Sequence, residues 1–452
     1  MANLSKAPRL KYLIGPSIIL LGLGLGSGEI ILWPYLTSKF GLGIIWAAVL
    51  GITAQFFMNM EIERYSLAWG ESIFIGFSRY FRLAPYWFIF STFIAWIWPG
   101  IIASSAKLFA QVFGIAHFEY LAIIFLLLIG AILTLGPRLY KTVETFQKVI
   151  VSVGIPLLFI IACLIATKSD LRALGLGLMG VGDGFIFIPK DLPLLTFLGA
   201  LAYAGAGGNL NLAQSLYIKE KGYGMCAGAK GITSVLTRKS EKISLKGERF
   251  SLTDQNISNF RLWWKAVNIE HGLVFLLAGA FTIILLALIA YSTTSGSDTS
   301  QGIDFILYES KILGGILGST LGVLFILIAA VMLFATQFTV LDSTSRIMSE
   351  NFVILKTEAN LSKVYYTILW LQIIAGIIVF LSGYSDPFTL VITSAVINAV
   401  AMFVHIGATY LLNRKALPHQ IETSTLRKVI IFLIWLFFGL LSFYTIWSYL
   451  FK

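Results

Sequence analysis

Apolar runs long enough to cross a bilayer recur along almost the whole chain, and nothing else in the sequence constrains its fold as strongly. A membrane-spanning helix needs a run of roughly 17–25 predominantly apolar residues. Eleven such runs fall near 13–35, 42–60, 86–113, 118–135, 146–167, 194–217, 270–291, 312–338, 363–382, 387–411 and 428–451. They are helices 1 to 11 below, with the eighth able to run on through the polar stretch Thr339–Glu350. Backbone polar groups in hydrocarbon must be satisfied within the segment, so the fold class is an all-α polytopic membrane protein. The 12% charged fraction agrees; soluble domains carry about twice as much.

The net charge of +11 reads as topology rather than as a nucleic-acid surface. With the N-terminus inside, the inner segments carry Lys6, Arg9 and Lys11, then Arg64, Arg79 and Arg82, then Arg138, Lys141 and Lys148. The basic 218–269 loop, Arg346, Lys356, Lys363, Arg414, Lys415, Arg427 and Lys428 also fall inside. Only Lys39, Lys168, Arg172, Lys190, Lys311 and Lys452 fall outside. This asymmetry follows the positive-inside rule. It predicts an integral protein of the inner or plasma membrane with a cytoplasmic N-terminus and an outer C-terminus. No cleavable signal is expected in MANLSKAPRLKYL, which lacks a small-residue cleavage site. The 218–269 loop should be cytoplasmic, with an amphipathic interfacial helix near Trp263 and Trp264. Cys163 and Cys226 provide neither a disulfide framework nor metal-ligand spacing.

Helix 1 reads GPSIILLGLGLGSGEIILWPY over Gly15–Tyr35. Its middle is glycine-rich and contains Ser27 and the ionisable Glu29. A carboxylate at that depth is expensive and by default functional. Unwound backbone is tolerated there only inside protein or beside a cavity. Helix 6 repeats the pattern at Gly205-Ala206-Gly207-Gly208-Asn209-Leu210-Asn211. For either stretch alone, a close-packing face of small residues is the competing explanation. Two glycine-interrupted spans at matching positions point instead to a transporter site. Helices 1 and 6 lie five apart, so helices 1–5 (12–167) and 6–10 (194–411) form inverted repeats. Helix 11 (428–451) is then additional. Freed carbonyls, the Asn209 and Asn211 amides and the Glu29 carboxylate are hard oxygen donors, suited to Mg²⁺, Ca²⁺ or Mn²⁺.

From Gly15-Pro16 to about helix 10, this frame resembles the Nramp family of proton-coupled divalent metal transporters, which have LeuT-type architecture. The family's helix 1 signature, Asp-Pro-Gly-Asn, falls on Gly26-Ser27-Gly28-Glu29. Only its glycine is retained. The helix 6 signature, Met-Pro-His-Asn, falls on Ala206-Gly207-Gly208-Asn209, and only its asparagine remains. The resemblance implies a backbone carbonyl ligand at Tyr203. With Ala206 in place of the thioether, the soft-ligand preference for transition metals is lost. Glu29 lies within one helical turn of Gly26 and can supply the missing charge.

Other polar residues in the spans suggest further roles. Lys107 in helix 3 is either a charge partner for Glu29 or another acid, or a lysine reaching the outer interface. Asp342 and Arg346 have the i, i+4 spacing of a salt bridge, lining an inner vestibule or a cation site, with Asp342 a candidate for proton coupling, or closing a solvated helix end. His405 is a proton-relay candidate or a hydrogen-bonded structural residue. Gln214, Ser394 and Asn398 are expected around the site rather than in it. Glu61, Glu63 and Arg64 should form ion pairs or gate contacts at the inner end of helix 2.

The leading expectation is a secondary transporter of a divalent cation, moving it inward with or against protons by alternating access. The alternative is the same fold carrying a small organic solute or monovalent cation, and a non-transporting sensor is a distant third. Neither a cofactor nor a nucleic-acid partner is expected; the partners are the cargo and the lipid bilayer. The sequence contains no HExxH, nucleophile or phosphate-loop motif that would indicate an enzyme.

Overall fold

The computed structural model describes residues 3–136, 139–229, 231–232, 245–295 and 302–450. Arg138, Lys230, Arg238, Lys239, Lys242 and Lys452, which enter the charge reading, lie outside that set, as do the side chains of Lys11 and Ser27. Among the described residues, ten helices are long and apolar enough to cross a membrane. Helix 6 completes eleven spans as two shorter pieces, Leu194–Ala202 and Ala213–Lys221.

Helices 1 and 6 occupy the centre. Every residue with a described side chain from Pro16 to Ser38 is buried, and so is every residue from Thr196 to Lys219. Helices 4 (Phe118–Leu135), 5 (Leu139–Ile165) and 11 (Thr425–Trp447) lie at the periphery. They expose large apolar side chains such as Leu127, Val153 and Leu440, as lipid-facing helices do. The apolar periphery and buried polar middle follow from a solvent that rewards neither exposed backbone nor isolated charge.

Helices 3 and 7 differ from the sequence expectation, and helix 8 takes the longer course that the sequence allowed. Helix 3 is interrupted: Ala84–Trp96 ends, and Gly100–Phe113 begins directly after Pro99, whose ring removes a backbone donor. Helix 7 starts at Asp254 instead of near 270, with Thr253 accepting from the Asn256 N–H as its cap. The expected amphipathic segment of the 218–269 loop is therefore the first part of helix 7, which continues through a wide turn, Gly272–Leu277, to Thr294. Helix 8 runs unbroken from Ser319 to Leu355. Its 37 residues reach about 55 Å, beyond the hydrocarbon thickness, and carry Asp342 and Arg346 on a buried continuation.

The ends of helices 1, 6 and 8 define two faces. The N-terminal face holds the start of helix 1, the end of helix 6 and the end of helix 8. The opposite face holds a short antiparallel hairpin, Val181–Gly182 with Phe185–Ile186, and the helix Ile303–Leu317.

Candidate functional site

Helix 1 is α-helical from Pro16 to Gly24 and leaves that geometry at Leu25 and Gly26. It resumes as a wide turn, Ser27–Leu32, in which the Trp33 N–H reaches back to the Gly28 carbonyl. Helix 6 stops at Ala202 and restarts through a tight turn, Gly208–Leu212. Gly207 and Gly208 take φ of +75° and +54°, a region L side chains rarely adopt. Gln55 of helix 2 spans this gap. Its amide donates to the Ala202 carbonyl at 3.0 Å and accepts from the Gly207 N–H at 3.1 Å. Two backbone groups orphaned by the break are thereby satisfied inside the protein.

The breaks pack against each other. A Cβ on Gly28 would lie 1.9 Å from the Tyr203 carbonyl oxygen, so the carbonyl expected to line the site presses on the helix 1 break. A Cβ on Gly26 would lie 2.4 Å from Thr336 Cγ2 of helix 8. One on Gly208 would lie 1.7 Å from Asn398 Oδ1 of helix 10. Space needed by the Asp and His of the resembling signatures is thus filled from helices 8 and 10.

Glu29 is fully buried, and neither carboxylate oxygen has a hydrogen-bond partner. Its Oε1 sits 3.2 Å from where a Gly24 Cβ would lie and 3.8 Å from where a Gly279 Cβ would lie, which places the carboxylate toward helix 7. Asn209 turns the other way. Its Nδ2 donates to Ser91 and Thr92 of helix 3 at 2.8 and 2.9 Å, leaving Oδ1 unpartnered. Tyr203 joins the same side, its hydroxyl 2.6 Å from Ser394 Oγ and accepting from Asn398 Nδ2 at 3.0 Å. Asn211 stays local, its Nδ2 donating to the Gly208 carbonyl at 3.4 Å. Ala206 is buried without a polar atom to offer from its side chain. The predicted residues therefore gather around the breaks in two groups, Glu29 on the helix 7 side and Asn209 with Tyr203 on the helix 3 and helix 10 side.

The proposed charge partners fall elsewhere. Lys107 pairs with Asp304 at 2.8 Å, both partly exposed near the opposite face, and does not meet Glu29. Asp342 does not close a solvated helix end; it is buried, bonded to Arg346 at 2.8 Å and accepting from the Tyr217 and Tyr365 hydroxyls, each at 2.8 Å. His405 Nε2 lies 3.0 Å from the Gly208 carbonyl, so it braces the helix 6 turn. Gln214 reaches Glu63 of helix 2 at 3.4 Å rather than the breaks. Glu61 forms the expected ion pair with Arg64 at 3.0 Å.

Both ends are closed. At the N-terminal face Lys221 of helix 6 meets Glu144 of helix 5 at 2.7 Å, and Arg346 of helix 8 pairs with Glu220. Thr336 donates to the Gly22 carbonyl at 3.0 Å, and Gln147 of helix 5 donates to the Ala335 carbonyl at 2.9 Å. At the opposite face Tyr35 packs edge-on against Phe305 and Phe388. Sequence reasoning missed Gln55, Gln147 and Thr336. Each is a polar residue in an apolar run, which was the available signal, but its partner lies on another helix.

The chain matches no protein-family profile and no curated protein sequence. Solved structures are similar. A manganese transporter of Eremococcus coleocola superposes with a TM-score of 0.72 at 14% identity, covering 98% of this chain and 89% of that one. Mhp1, a nucleobase-cation-symport-1 family transporter with bromovinylhydantoin bound, gives 0.51 at 11% identity, covering 92% and 82%. MhsT in complex with L-phenylalanine gives 0.50 at 15% identity, covering 99% and 100%. The fold is the LeuT fold, in its Nramp-like form.

Proposed function

We propose that this chain is a secondary active transporter that alternates access to the crossing of helices 1 and 6, with a divalent cation as cargo. Mg²⁺, Mn²⁺ and Ca²⁺ fit it better than softer metals, because the donors at hand are oxygens and, among the described residues, no thioether or thiolate faces the breaks. Glu29 supplies the negative charge, and Tyr203, Asn209 and Asn211 supply carbonyl oxygens as the two halves rearrange. Gly26, the Ser27 backbone and Ala206 line the crossing, and room beside Gly26 opens as Thr336 of helix 8 withdraws. The N-terminal face is cytoplasmic and the membrane is the inner or plasma membrane, as the charge asymmetry predicts.

One observation carries this reading: Glu29 is a fully buried carboxylate with both oxygens unpaired, beside two interrupted helices. An isolated buried charge is too costly to keep without a compensating cation or proton. Uptake into proteoliposomes of Mn²⁺, Mg²⁺ and Ca²⁺, each against the Glu29→Gln variant, tests it. Uptake of at least one ion that the variant loses is expected; no uptake of any and no competition among them would remove the metal assignment.

A second reading has its own support. Among the described residues, no cluster of three acidic, histidine or cysteine side chains can hold a metal. A single carboxylate among glycines suits the amine of a small organic solute or a monovalent cation equally well. A thermal-shift response to organic amines, with none to divalent ions, would favour this reading over the first.

A further inference from the structure

Below Glu29, toward the N-terminal face, a second set of buried ionisable groups joins helices 1, 2, 6 and 7, and the transport reading makes no use of it. Ser17 Oγ of helix 1 lies 2.5 Å from Glu270 Oε2 and 2.8 Å from His271 Nδ1, both on helix 7. Asn59 Nδ2 of helix 2 lies 3.3 Å from His271 Nε2. The imidazole is clamped between two rings, stacked on Phe56 at 5.7 Å and Phe275 at 4.7 Å, so its orientation is set by packing. Glu63 of helix 2 lies within electrostatic reach of Glu270, and Gln214 of helix 6 holds its other oxygen.

These four polar groups form one directional chain. With His271 carrying its proton on Nδ1, Asn59 donates to His271, His271 to Ser17, and Ser17 to the Glu270 carboxylate. The chain has a second consistent direction. A protonated Glu270 gives its proton to Ser17 Oγ as the Ser17 proton passes to His271 Nδ1. The O–H bond of Glu270 breaks, one O–H bond on Ser17 forms while the other breaks, and an N–H bond forms on His271. Glu270 becomes a carboxylate and His271, already protonated at Nε2, becomes an imidazolium, with no net gain or loss of protons. In this direction Nε2–H needs an acceptor, and Asn59 Oδ1 is buried and unpartnered, available by rotation of the amide.

The surroundings give the chain a reason to hold a proton. Glu63 and Glu270 are both buried, each with one unpartnered oxygen. No described cationic side chain bonds either: Lys221 and Lys148, the nearest, are both spent on Glu144 at 2.7 and 2.8 Å. Tyr223 lies within electrostatic reach of both carboxylates and Cys226 within reach of Glu63. Two buried carboxylates without a bonded cation cannot both stay ionised at acceptable cost, so at least one proton resides on the pair. Among the described residues the groups do not converge as a metal site would require.

We propose that Ser17, Asn59, Glu63, Glu270 and His271 form a proton-binding relay, separate from Glu29, that fastens the first half of helix 1 to helices 2 and 7. Ser17 is its member on helix 1, and Gln214 its hydrogen-bonded contact on helix 6. Separation of the first half of helix 1 from helix 7 withdraws the Ser17 hydroxyl that stabilises the Glu270 carboxylate, so a proton is taken up on Glu270 as the links break, and is given back as they re-form. Opening at the N-terminal face is thereby coupled to proton movement whatever the cargo.

The test is infrared difference spectroscopy of the purified full-length chain in lipid, stepped through pH, because the carbonyl stretch of a protonated carboxyl is separate from the carboxylate bands. The wild type should show a buried protonated-carboxyl band that Glu270→Gln removes and Ser17→Ala shifts. If Glu270→Gln does not purify, Ser17→Ala and Glu63→Gln carry the same readout. Absence of the band, or a band indifferent to these variants, would overturn the relay. Loss of the band in sodium chloride but not in choline chloride would make the cluster a sodium site and overturn it too. No cargo is needed, so a failure here is distinguishable from a failure of the cation-transport reading.

Discussion

Asp342 and Glu29 are both fully buried carboxylates inside the helix bundle, and their surroundings are opposite. Asp342 has a partner at each oxygen: Arg346 and Tyr365 at Oδ1, Arg346 and Tyr217 at Oδ2. Its guanidinium partner reaches on to Glu220, so helix 8 is bolted to the end of helix 6. Glu29 has no partner at either oxygen. A satisfied buried network rigidifies the state in which it forms, whereas an unsatisfied buried acid awaits something absent from the polypeptide. The first arrangement is what a closed gate requires, and the second is what a cargo site requires.

Mutations can break this contrast. Arg346→Ala leaves the buried Asp342 and the partly buried Glu220 without their cation, and unfolding in detergent should register a loss of about 3–5 kcal/mol. A loss below 1 kcal/mol would mean the latch is solvated in solution. Gly28→Ala forces a methyl into the Tyr203 carbonyl, so a cost of about 1–3 kcal/mol is expected, together with loss of cation binding by calorimetry. Glu29→Gln should behave unlike both, moving stability by no more than about 1 kcal/mol, because no native bond is broken. Cation binding should nevertheless be lost. Lys107→Ala should do least. Its pair with Asp304 is partly exposed and worth at most about 1 kcal/mol, and cation affinity should not change. A change in affinity would link Lys107 to Glu29 by a route the geometry does not contain.

Backbone interruptions were the most legible features of the sequence. Glycines crowded into two apolar runs five helices apart leave few other folds open, and helix 8 running past Thr339 followed from uninterrupted helix-compatible residues. The helix 3 break was visible in Trp98-Pro99-Gly100 but was read through, because the apolar run does not pause there. The early start of helix 7 was likewise written in Thr253-Asp254, a capping pair hidden by polar composition. What could not be read was pairing across helices. Ser17 and Glu270 are 253 residues apart, and nothing local to either predicts the contact. Gln55 looks like a stray amide until the helix 6 gap it bridges is in place. The charge partner of Lys107 was open for the same reason, whereas the Asp342–Arg346 pair, four residues apart on helix 8, was legible from its spacing. Ion pairs between helices depend on packing, which periodicity within one helix does not encode.

The central claim is that Glu29 is the charge that receives the cargo. It is tested most directly by cation binding to the purified chain across pH, wild type beside Glu29→Gln, with Mn²⁺, Mg²⁺ and Ca²⁺ as probes. The account predicts saturable binding of at least one ion by the wild type, weakening on acidification as protons compete for the carboxylate, and none by the variant at any pH. Equal affinity and equal pH dependence in the two proteins would contradict it.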